Sequence, residues 1–371
     1  MKLVVILPTY NEGENIIRLL DILHDVLARS PDYTVSYLVV DDYSPDGTKD
    51  LVAAYQKKHK DVYLVSGKKE GLGKAMVRGM TYAVDALKAD YLLQMDADLS
   101  HDPRVIPQFL HALDGGADFV IGSRYIPGGS IPENWGLHRK IFSVVGNSIV
   151  RFGLGYPYVH DWTGGFRVYK KVFFEKIRHQ LDQYSGYVFQ IAFLHKSIVH
   201  KARITEVPIH FKDRQYGRSK IAPFEYIKNV FLYVIHARLS HSSTRSLIKF
   251  LIVGSVGFVI NTVVLEVGVF FGFHPVESSI VGAECAIISN FFLNNAWTFR
   301  ERKIDPSSRL RKFLQFNGTS FGAIVIQAGV VFLGTHLYGV EKYRVFYILG
   351  VFIGMIWNYI MYSRVIWKKT A

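Results

Sequence analysis

Up to about residue 220 the apolar positions come in short blocks between polar ones; from about residue 247 they come in long, nearly unbroken runs. Residues 3–7 are continuously apolar, as in a strand buried on both faces. Residues 15–29 place Ile16, Leu19, Leu20, Leu23 and Leu27 at the spacing of an amphipathic helix. The alternation continues with strands at 35–40, 62–66, 91–95 and 119–121 and helices at 49–60 and 75–87. This order predicts a parallel sheet with helices on both faces. Ligand loops then gather at the strand carboxyl ends, at 8–12, 41–46 and 96–98.

The strand at 91–95 runs straight into Asp96 and Asp98. On an extended strand i and i+2 point the same way, so the two carboxylates share a side. Hard oxygen donors so placed suit Mg²⁺ or Mn²⁺ carrying a diphosphate; a turn in which Asp98 or Ser100 only caps the next helix is the competing reading. Nearby, Asp42 can accept from a base or ribose hydroxyl, and Tyr10 can pack on a base. Gly71-Leu72-Gly73-Lys74 fits neither the P-loop nor the dinucleotide spacing, so ligand contact and a plain helix start stand level.

Residues 134–140 lead into a helical run with Ile141, Val145, Ile149 and Phe152 on one face, suited to a membrane surface or to the core. Residues 161–169 form a loop entering a strand, and 206–211 form a further strand. Asp213-Arg214-Gln215-Tyr216-Gly217-Arg218-Ser219-Lys220 then sets three cations around a glycine. Residues 223–239 mix Phe224, Ile227, Phe231, Val234 and Ile235 with Lys228, His236 and Arg238, as in a helix lying on a bilayer.

With 371 residues the chain exceeds a typical single core, which points to two domains. Mean hydropathy is +0.14, with the excess in the second half. There, four blocks at 247–271, 276–297, 313–337 and 345–367 are long enough to span a bilayer. Asn261, Asn290, Gln327 and Asn358 recur inside them, as helix contacts in lipid allow. Glu266 and Glu284 also fall there, either as functional carboxylates or as helix contacts. Arg300, Arg302, Lys303, Arg309, Arg311 and Lys312, with Arg364, Lys368 and Lys369 at the end, place both basic segments and the first domain on the cytoplasmic side. The net charge of +13 suits anionic partners. The single Cys285 excludes an intramolecular disulfide, and the N-terminus does not read as a signal peptide.

Pro8-Thr9-Tyr10-Asn11-Glu12, Val39-Val40-Asp41-Asp42, Asp96-Ala97-Asp98-Leu99-Ser100-His101 and Gly122-Ser123-Arg124-Tyr125 occur in the order found in inverting glycosyltransferases of the GT-A fold. The set resembles their polyprenyl-phosphate hexosyltransferase branch, which includes the dolichol-phosphate mannose synthases. The resemblance covers roughly 1–220 and implies an α/β GT-A domain, Rossmann-like; with the readings above, the chain divides into that domain at 1–222, an interfacial helix at 223–240 and an all-α four-helix transmembrane domain at 241–371. That last part resembles GtrA-like domains through Asn294-Asn295-x-Trp297-Thr298-Phe299.

Carried over by position, Pro8, Tyr10, Glu12, Val40 and Asp42 would hold the guanosine side of GDP-mannose. Asp96, Ala97 and Asp98 would hold its diphosphate, with Asp96 and Asp98 as ligands of Mg²⁺ or Mn²⁺. Arg124, Arg139, Ser143 and Arg214 would grip the phosphate of a dolichyl or polyprenyl phosphate, and Arg214 and Lys220 would close over the phosphates. Asp96, Asp98, Arg124 and Arg214 form the implied catalytic set, flanked by Asp161, Thr163 and Gly164. The implied reaction is inverting mannose transfer giving dolichyl phosphate mannose and GDP. A UDP-glucose-dependent glucosyltransferase would use a similar frame; a lipid-linked sugar flippase with a regulatory transferase domain is the alternative from another class. No glutamine begins the Q-x-x-R-W pattern of processive polysaccharide synthases, and no nucleic-acid recognition motif is present.

Overall fold

The computed structural model describes residues 1–213, 223–240 and 242–368. The chain divides into two compact units, Met1–Arg238 and Leu239–Ala371.

The first unit is built on seven strands: β1 Lys2–Thr9, β2 Thr34–Asp41, β3 Val62–Ser66, β4 Tyr91–Gln94, β5 Phe119–Ser123, β6 Arg167–Lys170 and β7 Ile204–Pro208. They form one sheet in the order β3-β2-β1-β4-β6-β5-β7. Residues of alternating parity feed two cores. Val4, Ile6, Leu38 and Val40 face one side, and Leu3, Val5, Leu7 and Val39 the other. Burial on both faces is why these strands read as unbroken apolar runs.

The sheet is mixed, not wholly parallel as expected. β6 runs antiparallel to both β4 and β5. Parallel neighbours need a crossover that carries the chain back to the starting edge. The chain instead enters β6 at Arg167, opposite Gln94 and Ile121, at the edge where β4 and β5 end. The 161–166 loop is thereby held at the ligand edge.

Among the described residues eight α-helices accompany this sheet: α1 Ile16–Leu27, α2 Thr48–Gln56, α3 Leu72–Asp85, α4 Ile106–Asp114, α5 Leu137–Leu154, α6 Lys171–Ile177, α7 Gly186–Val199 and α8 Pro223–Ser240. α1 buries the five residues its spacing singles out. α5 buries Gly146, Asn147, Val150 and Leu154 and leaves Leu137, Ile141, Val145 and Phe152 exposed. Its apolar stripe thus faces outward, as a surface helix requires. α8 buries Val230, Tyr233 and Val234 in the same core as α7 and exposes Phe231, Leu232 and Ile235. Tyr233 Oη meets His195 Nδ1 at 2.8 Å.

Among its described residues the second unit holds four long helices, α9 Ser242–Phe270, α10 Pro275–Leu293, α11 Arg309–Tyr338 and α12 Tyr343–Met361. Among the described residues three helical stretches are long and apolar enough to cross a membrane: Thr244–Phe270, Pro306–Tyr338 and Ile348–Ile366. The fourth expected span, at 276–297, is the 19-residue α10 followed by a π-helical turn at Asn294–Thr298, and it is not among the three. α9 and α10 approach closely at glycines. A Cβ on Gly257 would lie 2.5 Å from the Asn290 amide, and one on Gly282 2.5 Å from Asn261 Oδ1. Phe250, Phe291, Phe299, Phe316, Tyr362 and Trp367 form an aromatic core. Asn295 Oδ1 locks it, accepting from Ile304 N–H at 2.9 Å and Trp367 Nε1–H at 3.1 Å. Lys312 Nζ donates to the Val365 carbonyl at 2.8 Å, so part of the basic loop caps a helix end. Glu266 and Glu284 are exposed.

Candidate active site

Three loops at the strand carboxyl ends carry non-glycine residues with positive φ: Asn11 (62°), Tyr43 (50°) and Leu99 (61°). Such conformations cost roughly 1–3 kcal/mol each and persist where the surroundings impose them. They follow β1, β2 and β4, which is where ligand loops gather.

On the β1–β2 side, Pro8 and Val40 are register partners. Asp41 is wholly buried and structural: Oδ1 accepts from Thr9 Oγ1 at 3.1 Å and Oδ2 from Ser44 N–H at 3.0 Å. Asp42 turns the other way and pairs with Arg78 of α3. Burial raises its pKa, and Arg78 offsets that only in part. Arg78 Nε is buried with no hydrogen-bond partner. Sequence reasoning did not select Arg78; its one signal is a lone cation on an otherwise apolar stretch of α3. Tyr10 has Lys69 Nζ over its ring at 3.2 Å, so one ring face carries a cation. Glu12 accepts from Asn15 Nδ2 at 2.9 Å, and its own N–H donates to Thr48 Oγ1 at 3.1 Å. Gly73 is explained by packing: a Cβ there would lie 2.2 Å from the Tyr184 carbonyl.

The acidic pair lies in the turn after β4, because the strand ends at Gln94. Strand alternation therefore does not orient Asp96 and Asp98; the turn does. Asp98 Oδ1 accepts from Ser100 N–H at 3.1 Å, which folds the chain back through Leu99. His101 is buried, and burial lowers its pKa, so the ring is neutral. Its Nδ1 accepts from Asp96 N–H at 3.2 Å, which places its proton on Nε2. The helix-cap reading fails for Asp98: Asp102 caps the next turn, accepting from Arg104 N–H at 3.0 Å. Ser100 Oγ is buried beside the pair with no partner. A Cβ on Gly165 would lie 3.4 Å from Asp96 Oδ1, so the β6 entry loop faces this carboxylate.

Arg124, at the end of β5, lies in a buried network. Its Nε and Nη2 donate to Asp161 at 2.7 and 2.8 Å, and Nη2 also to Thr163 Oγ1 at 2.8 Å. Burial works against the Asp161 charge, but Arg124 outweighs it and lowers the pKa. Asn147 of α5 donates to Thr163 Oγ1 at 3.2 Å, and Ser143 Oγ meets Tyr125 Oη at 2.5 Å. Asp161 and Gly164 are joined by a 2.9 Å bond from the Gly164 N–H. Arg139 lies 3.9 Å over Trp135 and reaches Asp213 at 3.4 Å. Trp135 meets Phe211 edge-on at 5.8 Å, and the Arg124 guanidinium lies 5.5 Å over Phe211. His101 also touches Phe211, at 5.4 Å.

One crevice edge thus gathers Asp96, Ala97, Asp98, Arg124, Arg139 and Ser143. Arg214 and Lys220 lie outside the described residues. Behind the edge sits Arg167, fully buried, donating to the Gln190 and Trp162 carbonyls at 2.7 Å each. Burial lowers its pKa to about 10, so it stays charged at neutral pH.

A mixed sheet with strained loops around an acidic turn defines an α/β transferase of the GT-A type. Residues 4–178 match the model of glycosyl transferase family 2, and residues 249–367 match that of the GtrA/DPMS transmembrane domain. A dolichol-phosphate mannosyltransferase of Pyrococcus furiosus is 32% identical over 376 residues, covering 99% of each chain. A polyprenol monophosphomannose synthase of Mycolicibacterium smegmatis is 39% identical over 225 residues, 60% of this chain and 81% of that one. An undecaprenyl-phosphate mannosyltransferase of Micrococcus luteus is 37% identical over 223 residues, 60% of this chain and 88% of that one. The chain belongs to glycosyl transferase family 2, with a GtrA/DPMS transmembrane domain after the catalytic one. It is a glycosyltransferase and a membrane protein.

Proposed function

We propose that the chain transfers mannose from GDP-mannose to the phosphate of a dolichyl or polyprenyl lipid, with inversion, giving dolichyl phosphate mannose and GDP. The observation that carries this reading is the joining of the Asp96–Asp98 turn to the Arg124 and Arg139 side through His101, Phe211 and Trp135. A donor diphosphate and an acceptor phosphate need opposite charge and hard oxygens within one crevice, and the relative matched along its whole length is named a dolichol-phosphate mannosyltransferase.

The nucleophile is an acceptor phosphate oxygen, already anionic at neutral pH. It bonds to the anomeric carbon as the bond to the diphosphate breaks, and the electron pair leaves with GDP. No general base is required, so orientation is the main task. Arg139 and Ser143 would hold the phosphate, and Arg124 would touch it while fixing the 161–164 loop. Pro8, Tyr10, Glu12, Val40 and Asp42 would hold the nucleoside, with Arg78 added by its orphaned Nε. Arg214 and Lys220 would close over the phosphates. The Asp96 and Asp98 carboxylates and the unpartnered Ser100 hydroxyl fit Mg²⁺ or Mn²⁺. The ion, when bound, supplies Lewis-acid neutralisation of the leaving diphosphate.

The exposed stripes of α5 and α8 suit a lipid surface beside the acceptor site. With Lys and Arg gathered in the basic connections, the first unit and residues 364–369 would face the cytoplasm. The test uses full-length protein in detergent with Mn²⁺ or Mg²⁺, a short dolichyl phosphate, and radiolabelled GDP-mannose or UDP-glucose in parallel. Label from GDP-mannose in the organic phase, lost with chelator and with Asp98→Ala, is the expected result. Label from UDP-glucose alone would overturn the donor, and label from neither would overturn the reaction.

A further inference from the structure

The opposite end of the sheet carries a cluster that the transfer reaction does not use. His24 lies in the last turn of α1, His59 follows α2, and Asp61 stands just before β3. One ligand atom from each lies within 4.8 Å of the others, and all three side chains are half-buried.

His24 Nδ1 is 2.8 Å from the Leu20 carbonyl, which can only accept, so Nδ1 carries a proton. His24 Nε2 is 3.0 Å from Asp61 Oδ2, another acceptor. A neutral imidazole has one N–H, so its remaining lone pair would face a carboxylate oxygen. A cation belongs between them, either a second proton or a metal ion. A proton needs only His24 and Asp61. The third member decides the choice: the His59 ring centre is 4.9 Å from that of His24, and stacking on Tyr55 at 4.1 Å and 8° holds its orientation. A histidine that donates one ring N–H to a backbone carbonyl and turns the other nitrogen to a carboxylate has the arrangement of a metal ligand. Two imidazoles and one carboxylate, with water in a fourth position, make a tetrahedral zinc set whose ligand atoms lie about 3.3 Å apart.

We propose that His24, His59 and Asp61 bind a zinc-class divalent ion that clips α1 to the segment joining α2 and β3. The site is separate in chemistry from the oxygen-rich Asp96–Asp98 turn, since imidazole favours zinc and carboxylate with hydroxyl favours Mg²⁺ or Mn²⁺.

The experiment uses full-length protein in detergent, stripped with chelator, loaded with Zn²⁺ alone and desalted before metal analysis. Wild type and Asp98→Ala should each retain one equivalent, and His24→Ala and His59→Ala should retain none. His59→Ala should keep its transferase activity, which excludes misfolding as the cause. At a hundredfold excess over Kd, Zn²⁺ should raise the Tm of wild type by roughly 5–10 °C and leave His59→Ala unmoved. Wild type retaining no zinc would overturn the proposal. Zinc retained by His59→Ala would equally overturn it. Zinc lost from Asp98→Ala but kept by His24→Ala would place the ion in the catalytic crevice instead.

Discussion

Replacing Asp161 by asparagine keeps the shape of the side chain and removes its charge, and the consequences follow from what that carboxylate holds. It accepts from Arg124 three times, through N at 3.1 Å, Nε at 2.7 Å and Nη2 at 2.8 Å, and from Gly164 N–H at 2.9 Å. Asp161 has no exposed surface and Arg124 keeps 8%. An amide turns two donors toward this ring of donors, so at least two of the bonds are lost. Arg124 is left as a buried cation without its counter-charge. Breaking one side of a buried pair costs about 3–5 kcal/mol. At about 2–4 °C per kcal/mol for a unit of this size, the first unit should melt roughly 6–20 °C lower. Transfer should fall as well, because the 161–164 loop and Arg124 lose their common anchor. The assay is thermal unfolding of the full chain in detergent, followed by tryptophan fluorescence, beside the radiolabel assay. The control is Arg124→Leu with Asp161→Leu. An apolar replacement of a buried pair is often neutral in stability, so this variant should recover most of the Tm and none of the activity. A shift for Asp161→Asn below about 2 °C would refute the reasoning, because the pair would then contribute less than about 1 kcal/mol.

Other expectations follow from single sites. Asp118 is held at a pKa of about 2: burial opposes its charge, but hydrogen bonds from Lys170 and Arg203 outweigh it. The folded form thus takes up the proton at lower pH than the unfolded chain. About 2 kcal/mol is present above pH ~4 and lost as the pH falls toward 2, so Asp118→Asn should flatten the acid side of a Tm-against-pH curve. Gly73→Val should separate α3 from the Tyr184 carbonyl and cost about 1–3 kcal/mol, read as a lower Tm. Arg78→Ala should raise KM for the nucleotide sugar more than it lowers kcat, which steady-state kinetics at varied donor would check. Asn295→Ala should leave the Trp367 indole N–H and the Ile304 N–H unpaired, at about 1–3 kcal/mol each, and lower the detergent Tm of the second unit.

The parts of the fold legible in the chain are those with a period of their own. β1, β2 and β3 and the buried face of α1 follow from apolar runs and 3.6-residue spacing. α7 was not legible, because Phe189, Ile191, Ala192, Phe193 and Leu194 are all buried and leave no polar stripe to mark a helix. The direction of β6 was not legible either, since a strand's own pattern carries no sign of which way its neighbours run. The acidic pair was found for its chemistry, but the reason given for its geometry belongs to a strand that stops at Gln94. Arg78 and Arg167 were missed because a lone cation in an apolar stretch does not by itself show a role. Each gains a role only when α3 meets β2, or when β6 enters between β4 and β5.

The same distinction bears on Arg124 itself. Seen along the chain it is a cation after a strand, placed to meet a phosphate. In the fold, two of its nitrogens are committed to Asp161 and Thr163, and its plane lies over Phe211. Phe211 in turn touches His101, whose ring holds the Asp96 backbone, and Trp135, on which Arg139 stacks. The next residues continue the linkage. Lys212 N–H donates to the Ser100 carbonyl at 3.1 Å, and Asp213 meets Arg139. Residues 211–213 therefore bind both to the acidic turn and to the start of α5. A phosphate held by Arg139, as proposed, would act through the same short segment that fixes Asp96 and Asp98. On the proposed assignment, the distance between donor and acceptor groups would be set by aromatic contacts and one buried ion pair, not by the strands alone. Phe211→Ala would loosen that spacing with every charged group still in place. It should lower kcat more than it raises either KM, and equal changes in both would place Phe211 in the core and outside the coupling.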